Sequence, residues 1–301
     1  MIRSTVARVR HSKEVVVGSQ RRYVARMSLA CARGAVAATT RQLDPRDPGT
    51  WEFSAFSQNG EDGVVEELLR RVVDPGRYFL EIGGSDGLEN NSAYLAFVRK
   101  YSGLMIEGDP ELSSEAQRNL QKMNVGVDYR SLFVEPHSAE EVVAASLSRT
   151  PDFFSLDIDG NDYHVMAALL EHGLRPKVIC VEYNSAFGPT RAVTIPYTPA
   201  FDYHEAHPSH LYYGVSVMGW RSLLEGCGYA FVTVESNGVN AFFIDPAQVG
   251  LDVAGLRRVE YVENFAQRRR FRSDWQGQGQ LIASLPLEEV GLQPGQVAAL
   301  E

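Results

Sequence analysis

Three glycines follow an apolar run that ends close to an acidic residue. Residues 77–91 read RYFLEIGGSDGLENN, so Glu81 precedes Gly83, Gly84 and Gly87. Glycines between a strand and a helix allow the backbone to approach a ligand closely. Their spacing differs from the G-x-G-x-x-G pattern of dinucleotide-binding loops. The segment therefore predicts a ligand-binding loop of another kind.

The charges around this loop indicate the sign of the ligand. Asp86 and Glu89 add to Glu81, so a diphosphate would meet three carboxylates, at a cost on the order of 1 kcal/mol or more for each close pair. A ligand with an ammonium and a sulfonium group would be attracted. Glu107 ends the next strand, at a separation from Gly87 that suits hydrogen bonds to ribose hydroxyls. Ribose is common to NAD and S-adenosylmethionine, and the acidic loop favours the latter.

A second group of polar residues follows two other predicted strands. Asp157 and Asp159 close one strand, and Glu182 and Asn184 close the next. The carboxyl ends of parallel strands meet at one edge of a sheet. Oxygen ligands there suit Mg²⁺, which lowers the pKa of a hydroxyl group; a general base is the alternative. We predict Asp157, Glu182 and Asn184 as metal ligands. The predicted catalytic residues are Asp157, Asp159 and His164, although His164 faces either core or site and the acids alternatively cap helices.

Apolar runs that alternate with helical stretches would position these residues. Strands are predicted for five short runs, at residues 78–82, 103–107, 125–133, 152–158 and 177–183. Strands that alternate with helices form a parallel sheet with both faces covered. Residues 229–245 contain two more strand patterns around Asn237-Gly238, the strongest short hairpin signal. An antiparallel pair should therefore end the sheet.

The remaining segments suggest how the chain is organised. In residues 61–73, EDGVVEELLRRVV, the aliphatic residues up to Val72 and Val73 share one helical face. Residues 184–215 are too long for an ordinary connection, so we expect a lid over the C-terminal edge of the sheet, with tyrosines as stacking faces. The predicted parts are a basic N-terminal extension (1–50), a main domain (51–246) and a C-terminal tail (247–301).

Composition and charge limit the classes of function. The 301 residues have a net charge of -9, and residues 1–46 hold ten Lys/Arg against two acidic residues. This leaves -17 on residues 47–301, which argues against a nucleic-acid surface and suits a cationic or neutral small ligand. Cys31, Cys180 and Cys227 form neither a disulfide framework nor a zinc spacing, which favours a reducing, cytoplasmic location. No uncharged apolar run approaches the roughly 20 residues that span a bilayer.

Four motifs together resemble the class I S-adenosylmethionine-dependent methyltransferases, and specifically the FkbM-like group that methylates hydroxyls of sugars and natural products. They are FLEIGGSDG, IEGDP, DFFSLDIDGNDY and VICVEYN; upstream, FSQNGEDGVVEELL resembles a leader that accompanies them in related bacterial proteins. The similarity runs from about Phe56 to Asp245. Two departures are Ser85-Asp86, where a third glycine is usual, and Asp159, where the longer Glu is often found.

The resemblance implies an α/β, Rossmann-like fold: a mostly parallel seven-stranded sheet with a C-terminal antiparallel hairpin and helices on both faces. It implies O-methylation of a sugar, glycan or natural-product hydroxyl, and metal-dependent relatives with two acids and an Asn at these strand ends support Mg²⁺. The predicted cofactor-binding residues are Gln58, Glu81, Gly83, Gly84, Gly87, Glu107 and Asp109. The expected partner is a small-molecule or glycan acceptor, and a homo-oligomer stays open. Two alternatives are a non-catalytic binding module of the same fold and an NAD(P)-type oxidoreductase.

Overall fold

The centre of the molecule is a twisted seven-stranded sheet. The computed structural model describes residues 21–37 and 39–291. The strand order is β3-β2-β1-β4-β5-β8-β7, and β8 alone runs against the other six. The strands are β1 (Tyr78–Ile82), β2 (Ser102–Glu107), β3 (Val127–Ser131), β4 (Phe153–Leu156), β5 (Val178–Glu182), β7 (Ala230–Val234) and β8 (Asn240–Ile244).

This sheet confirms the predicted fold class. Each of the five predicted apolar runs contains a parallel strand, and the two strand patterns around Asn237-Gly238 form the antiparallel pair β7 and β8. Gly238 has a φ of 74°, which suits a residue without a side chain. The strand order is that of the Rossmann-like methyltransferase fold.

Helices cover both faces of the sheet. Alternate residues of β1 show why both faces are apolar, since Phe79 belongs to one core cluster and Leu80 to the other. The helices are α1 (helical residues 21–37), α2 (Glu61–Leu69), α3 (Ala93–Phe97), α4 (Pro110–Leu120), α5 (Ala139–Ala145), α6 (Asp162–Glu171), α7 (Tyr203–Ala206), α8 (Val217–Gly226), α9 (Phe265–Phe271) and α10 (Trp275–Leu281). No helix in the described ranges is both long and apolar enough to cross a membrane.

The first helix of the main domain is shorter than its pattern predicts. α2 ends at Leu69, with Arg70 as its C-cap. Val72 instead forms a bridge with Val249, and Val73 is 71% exposed. The prediction that both valines continue the helical face was therefore wrong, because the pairing with Val249 takes the chain out of the helix before Asp74-Pro75-Gly76 is reached.

The lid-like insertion and the C-terminal segment pack against each other. β6 (Val193–Thr194) of the insertion pairs with β9 (Glu288–Glu289) near the end of the described chain. Phe187 and Ile195 of the insertion share a small apolar cluster with Ile282. The part of the tail beyond residue 291 and the first 20 residues of the extension lie outside the described residues. The two segments therefore form a joint layer beside the end of β5.

A buried ion pair joins three strands at their N-terminal ends. Asp152 is 1% exposed and accepts hydrogen bonds from the backbone N–H groups of Gly76 (3.0 Å) and Arg77 (2.7 Å). Its carboxylate lies 2.9 Å from the Lys177 ammonium, which is also buried. These contacts join the segments that lead into β1, β4 and β5.

Replacing Asp152 with alanine should destabilise the protein strongly. The change leaves the Lys177 ammonium buried without its carboxylate, which typically costs about 3–5 kcal/mol. Urea unfolding followed by circular dichroism measures the loss. The matched control is Arg191→Ala, which breaks an exposed pair with Glu289 and should cost less than about 1 kcal/mol. Equal losses in the two variants would contradict this account.

Candidate functional site

A cavity opens at the C-terminal edge of the parallel strands. Its volume is ≈ 410 Å³. Its wall comes from the loops after β1, β2, β3 and β4, from the leader before α2, and from the start of β8. Of the predicted site residues, six contribute to this wall, namely Gln58, Glu81, Gly83, Glu107, Asp157 and Asp159. Ligands of open α/β sheets bind at this edge.

Gly83 lets two loops approach each other at the floor of the cavity. Its φ is 89°, and a Cβ atom there would lie 1.7 Å from the Asp157 carbonyl oxygen. The N–H groups of Gly83 and Gly84 donate to the Ile106 carbonyl (2.9 and 3.0 Å), so the loop is fixed to β2. Gly87 has another role, because its Cβ would meet the Leu120 side chain of α4 at 2.7 Å. Neither Gly84 nor Gly87 is part of the cavity wall.

Glu81 organises the loop rather than exposing its charge. It is 2% exposed and accepts hydrogen bonds from the N–H groups of Asn91 (2.9 Å) and Ser92 (3.2 Å), and from the Ser92 hydroxyl. Burial raises the pKa of Glu81 to about 7, against the lowering effect of those donors. The segment after the glycines is thereby held against the end of β1.

Glu107 lies at the end of β2, facing the cavity. Its Oε2 accepts from the Ser85 N–H (2.7 Å) and its Oε1 from the Asp109 N–H (2.8 Å). Each carboxylate oxygen keeps a further acceptor site. Asp109, in contrast, caps α4 by accepting from the Glu111 N–H (2.7 Å) and does not line the cavity. Glu107 is thus free to accept from a ligand.

The acidic character of the glycine loop differs from the prediction. Arg26 of α1 pairs with both Asp86 and Glu89, at 2.7 Å in the second case. The Tyr23 hydroxyl donates to the Asp86 carbonyl (3.0 Å). Two of the three predicted carboxylates are thus compensated, since a basic helix far away in sequence covers them. Besides Glu81 and Glu89, the cavity wall contains four acids that lie outside the glycine loop, which are Glu61, Glu107, Asp157 and Asp159.

Three carboxylates converge where β4 and β5 end. One oxygen of each of Asp157, Asp159 and Glu182 lies within 4.8 Å of the others; we call these residues the acidic triad. Desolvation, with repulsion from the neighbouring acids, raises the pKa of Asp157 and Glu182 well above the usual range. Desolvation, with repulsion from Asp162, raises the pKa of Asp159 to about 6. Such a group binds either protons or a cation.

The insertion and the tail complete the surroundings of the triad. The Tyr213 hydroxyl donates to Glu182 Oε1 (3.3 Å), and Gln267 Nε2 of α9 donates to the same hydroxyl (3.2 Å). Tyr203 packs 5.9 Å from Tyr213 between ring centroids. The tyrosines of the insertion indicated in advance a contact such as that between Tyr213 and Glu182. Nothing in the sequence pointed to Gln267.

Two predicted residues lie outside the triad. Asn184 is 1% exposed, and its amide donates to the carbonyls of Leu211 (2.7 Å) and Tyr213 (2.9 Å) while its Oδ1 accepts from the Ala186 N–H. These three hydrogen bonds hold the insertion and use both amide N–H donors of Asn184. His164 Nε2 lies 2.9 Å from the Ile195 carbonyl and is not in the cavity wall.

The leader supplies the predicted residue Gln58 and two further residues, Asn59 and Glu61, that the sequence had not assigned to the site. Asp62 accepts from the N–H groups of Ala55 (2.7 Å), Phe56 (2.7 Å) and Ser57 (3.1 Å). This folds the leader so that its next polar residues line the cavity. They are Gln58, Asn59 and Glu61, joined from elsewhere by Asn91 and Asn240. In the sequence, the run of polar residues in FSQNGEDG is the feature that indicates this contribution to the site.

Comparisons with known proteins give distant likenesses. Neither a family model nor a curated protein matches the chain. Among solved structures, an O-methyltransferase from Bacillus cereus in complex with SAH has a TM-score of 0.38 and 14% identity over 73% of this chain and 89% of that one. CurJ carbon methyltransferase has a TM-score of 0.41 and 13% identity over 80% and 70%. A methyltransferase from Clostridium acetobutylicum ATCC 824 has a TM-score of 0.37 and 12% identity over 61% and 89%. Such low values add nothing to the fold, which the sheet order itself defines.

The acidic triad should make the protein less stable as the pH rises. Because the pKa of Asp159 is raised to about 6 and the pKa values of Asp157 and Glu182 lie well above the usual range, the folded chain between about pH 4 and pH 6 binds protons that the unfolded chain has released. The free energy of unfolding should therefore fall across this range. Asp159→Asn should reduce that fall, because it removes one titrating group and lowers the repulsion on the others. Urea unfolding in chelator at pH 5 and pH 8 measures it.

The exposed Asp128→Asn provides the control and should leave the difference between pH 5 and pH 8 unchanged. The same pH dependence in Asp159→Asn and the native protein would show that the triad does not titrate in this way.

Proposed function

We propose that this protein is an S-adenosylmethionine-dependent methyltransferase that acts on a hydroxyl group of a sugar, glycan or natural product. The observation that carries the proposal is a change in polarity along the wall of one cavity, in a methyltransferase-type fold. Its wall changes from apolar beside β2 and β3, through Glu107, to polar and acidic beside β4 and β8. An adenine, a ribose and a cationic amino-acid chain, in that order, match this gradient.

The apolar end suits a nucleobase. Five side chains form it, namely Ile106, Leu112, Leu132, Phe133 and Val134. Apolar walls with a few polar groups are typical of small-molecule sites. Glu107 lies at the inner border of this end, where its free acceptor sites can bind two adjacent hydroxyls. We therefore assign these residues to the adenosine part of the cofactor.

The acidic end suits a positive charge. S-adenosylmethionine supplies an electrophilic methyl group on a sulfonium ion, and the acidic wall formed by Glu61, Asp157 and Asp159 favours a cation there, because a nearby positive charge stabilises the ionised carboxylates. The same wall disfavours a diphosphate, as in NAD. The close approach of Gly83 to Asp157 brings the glycine loop and the loop after β4 together in the cavity wall.

The acidic triad would prepare the acceptor hydroxyl. A carboxylate with a raised pKa takes up a proton at neutral pH more readily than an ordinary one. The Tyr213 hydroxyl, held by Gln267, orients Glu182. The all-oxygen donor set of the triad also fits Mg²⁺, in which case Asp157, Asp159 and Glu182 would be the ligands and the metal would lower the pKa of the hydroxyl. In both arrangements the acceptor would bind at the part of the cavity that Asp159 and Phe201 line.

Isothermal titration with S-adenosylhomocysteine tests the cofactor assignment. The native protein should bind it, and Glu107→Ala should weaken binding about ten- to a hundredfold, since hydrogen bonds to a charged group contribute about 1.5–3 kcal/mol. The control is Glu111→Ala on the outer side of α4, which should bind as the native protein does. A native protein that binds NADH instead would refute the proposal.

Variants of the triad test its role in turnover. With labelled S-adenosylmethionine and a mixture of glycan and natural-product acceptors, Asp159→Asn and Glu182→Gln should each reduce methyl transfer about 10²- to 10⁴-fold while S-adenosylhomocysteine still binds. Loss of activity in chelator, restored by Mg²⁺, would assign the triad to a metal; full activity in chelator would assign it to proton transfer. Full activity in both variants would remove the triad from the mechanism.

A further inference from the structure

One buried acceptor at the polar end of the cavity has no partner. Asn240 is 3% exposed, and among the described residues its Oδ1 makes no hydrogen bond. Its Nδ2 donates to Glu61 Oε1 (2.8 Å), which fixes the orientation of the amide because a carboxylate cannot donate. Asn240 lines the cavity. Leaving such an oxygen unsatisfied is costly, so a donor within the cavity, from water or from a ligand, is the expected partner.

Glu61 adds a negative charge beside this oxygen. It is 1% exposed, and it accepts from the Asn59 N–H (2.7 Å), from Asn59 Nδ2 (3.0 Å) and from Asn240. All three donors are neutral, and no Lys, Arg or His of the described chain forms an ion pair with Glu61. Buried carboxylates are normally paired with a cation. The Glu61 carboxylate can therefore pair with a positive charge that the described part of the chain does not supply.

The position of this pair relates it to both parts of the site. Asn240 begins β8 and stands in register with Glu182 of β5. Glu61 begins α2, where Asp62 has folded the leader toward the cavity. The sheet order puts β8 on the far side of β1 and β4 from β2, where Glu107 lies. The pair is thus at the end of the cavity remote from the ribose position, next to the triad.

We propose that Glu61 and Asn240 bind the α-ammonium group of the methionine part of the cofactor. This inference rests on the proposed function. An ammonium group carries one positive charge and three donors, which matches a carboxylate beside a free amide oxygen. It also leaves Asp157 and the rest of the acidic triad to the acceptor. The protein should therefore select cofactors that retain the α-amino group.

Three ligands of the native protein test the selection. They are S-adenosylhomocysteine, its analogue with the α-amino group replaced by hydrogen, and 5′-methylthioadenosine, which lacks the whole amino-acid end. We expect S-adenosylhomocysteine to bind about ten- to a hundredfold more tightly than the deaminated analogue. Glu61→Gln should reduce this preference to less than about threefold, and should leave the affinity for 5′-methylthioadenosine unchanged. Asn240→Ala should reduce the preference by a smaller factor.

A matched control separates this role from a structural one. Glu67→Gln changes a buried carboxylate of the same helix, which pairs with Arg70 and Arg71 and does not line the cavity. It should keep the native preference. If Glu61→Gln fails to fold, the analogue series on the native protein and on Asn240→Ala still decides.

The outcomes distinguish the two proposals. If the native protein binds neither S-adenosylhomocysteine nor 5′-methylthioadenosine, the proposed function fails. If it binds S-adenosylhomocysteine no better than the deaminated analogue, the function stands and the ammonium site is refuted. The same follows if Glu61→Gln weakens all three ligands equally, because the residue then only supports the fold.

Discussion

The site depends on three carboxylates that meet at one edge of the sheet, where Asp157 and Glu182 are partly buried and Asp159 is exposed. Repulsion between like charges grows as water is excluded, so Asp157, Asp159 and Glu182 are held together only because the surrounding fold is stable without them. Two core clusters, one on each face of the sheet, provide that stability. The repulsion that remains between these carboxylates is reduced by whatever binds there, whether protons, a metal ion or a cationic ligand.

Some acidic side chains form ion pairs with basic ones and others do not, and this difference determines the charge of the site. Arg26 covers Asp86 and Glu89, and Lys177 pairs with Asp152 at the other edge of the sheet. Within the cavity, by contrast, Glu61 has only neutral donors. A negative potential therefore survives at the concave wall of the cavity, where a cationic ligand gains most from it.

Much of the fold could be read from local patterns. Strands buried on both faces appear as short apolar runs, and the glycine of the hairpin marks its turn, because both features depend on neighbouring residues alone. The end of α2 could not be read in this way. Val72 leaves the helix to pair with Val249, a residue 177 positions later, and contacts of such separation leave no periodic trace in the sequence.

The same division holds for the site. The sequence alone determined that Glu81, Gly83, Glu107 and Asp157 stand at the ends of parallel strands, because strand direction and alternation place them there. Only the tertiary structure decided which charges remain uncompensated: Arg26 reaches the loop from α1, Asn184 turns to hold the insertion, and Asn240 meets Glu61 across the sheet. Electrostatic environment is a property of atoms that are close in space, and residues far apart in the chain create it.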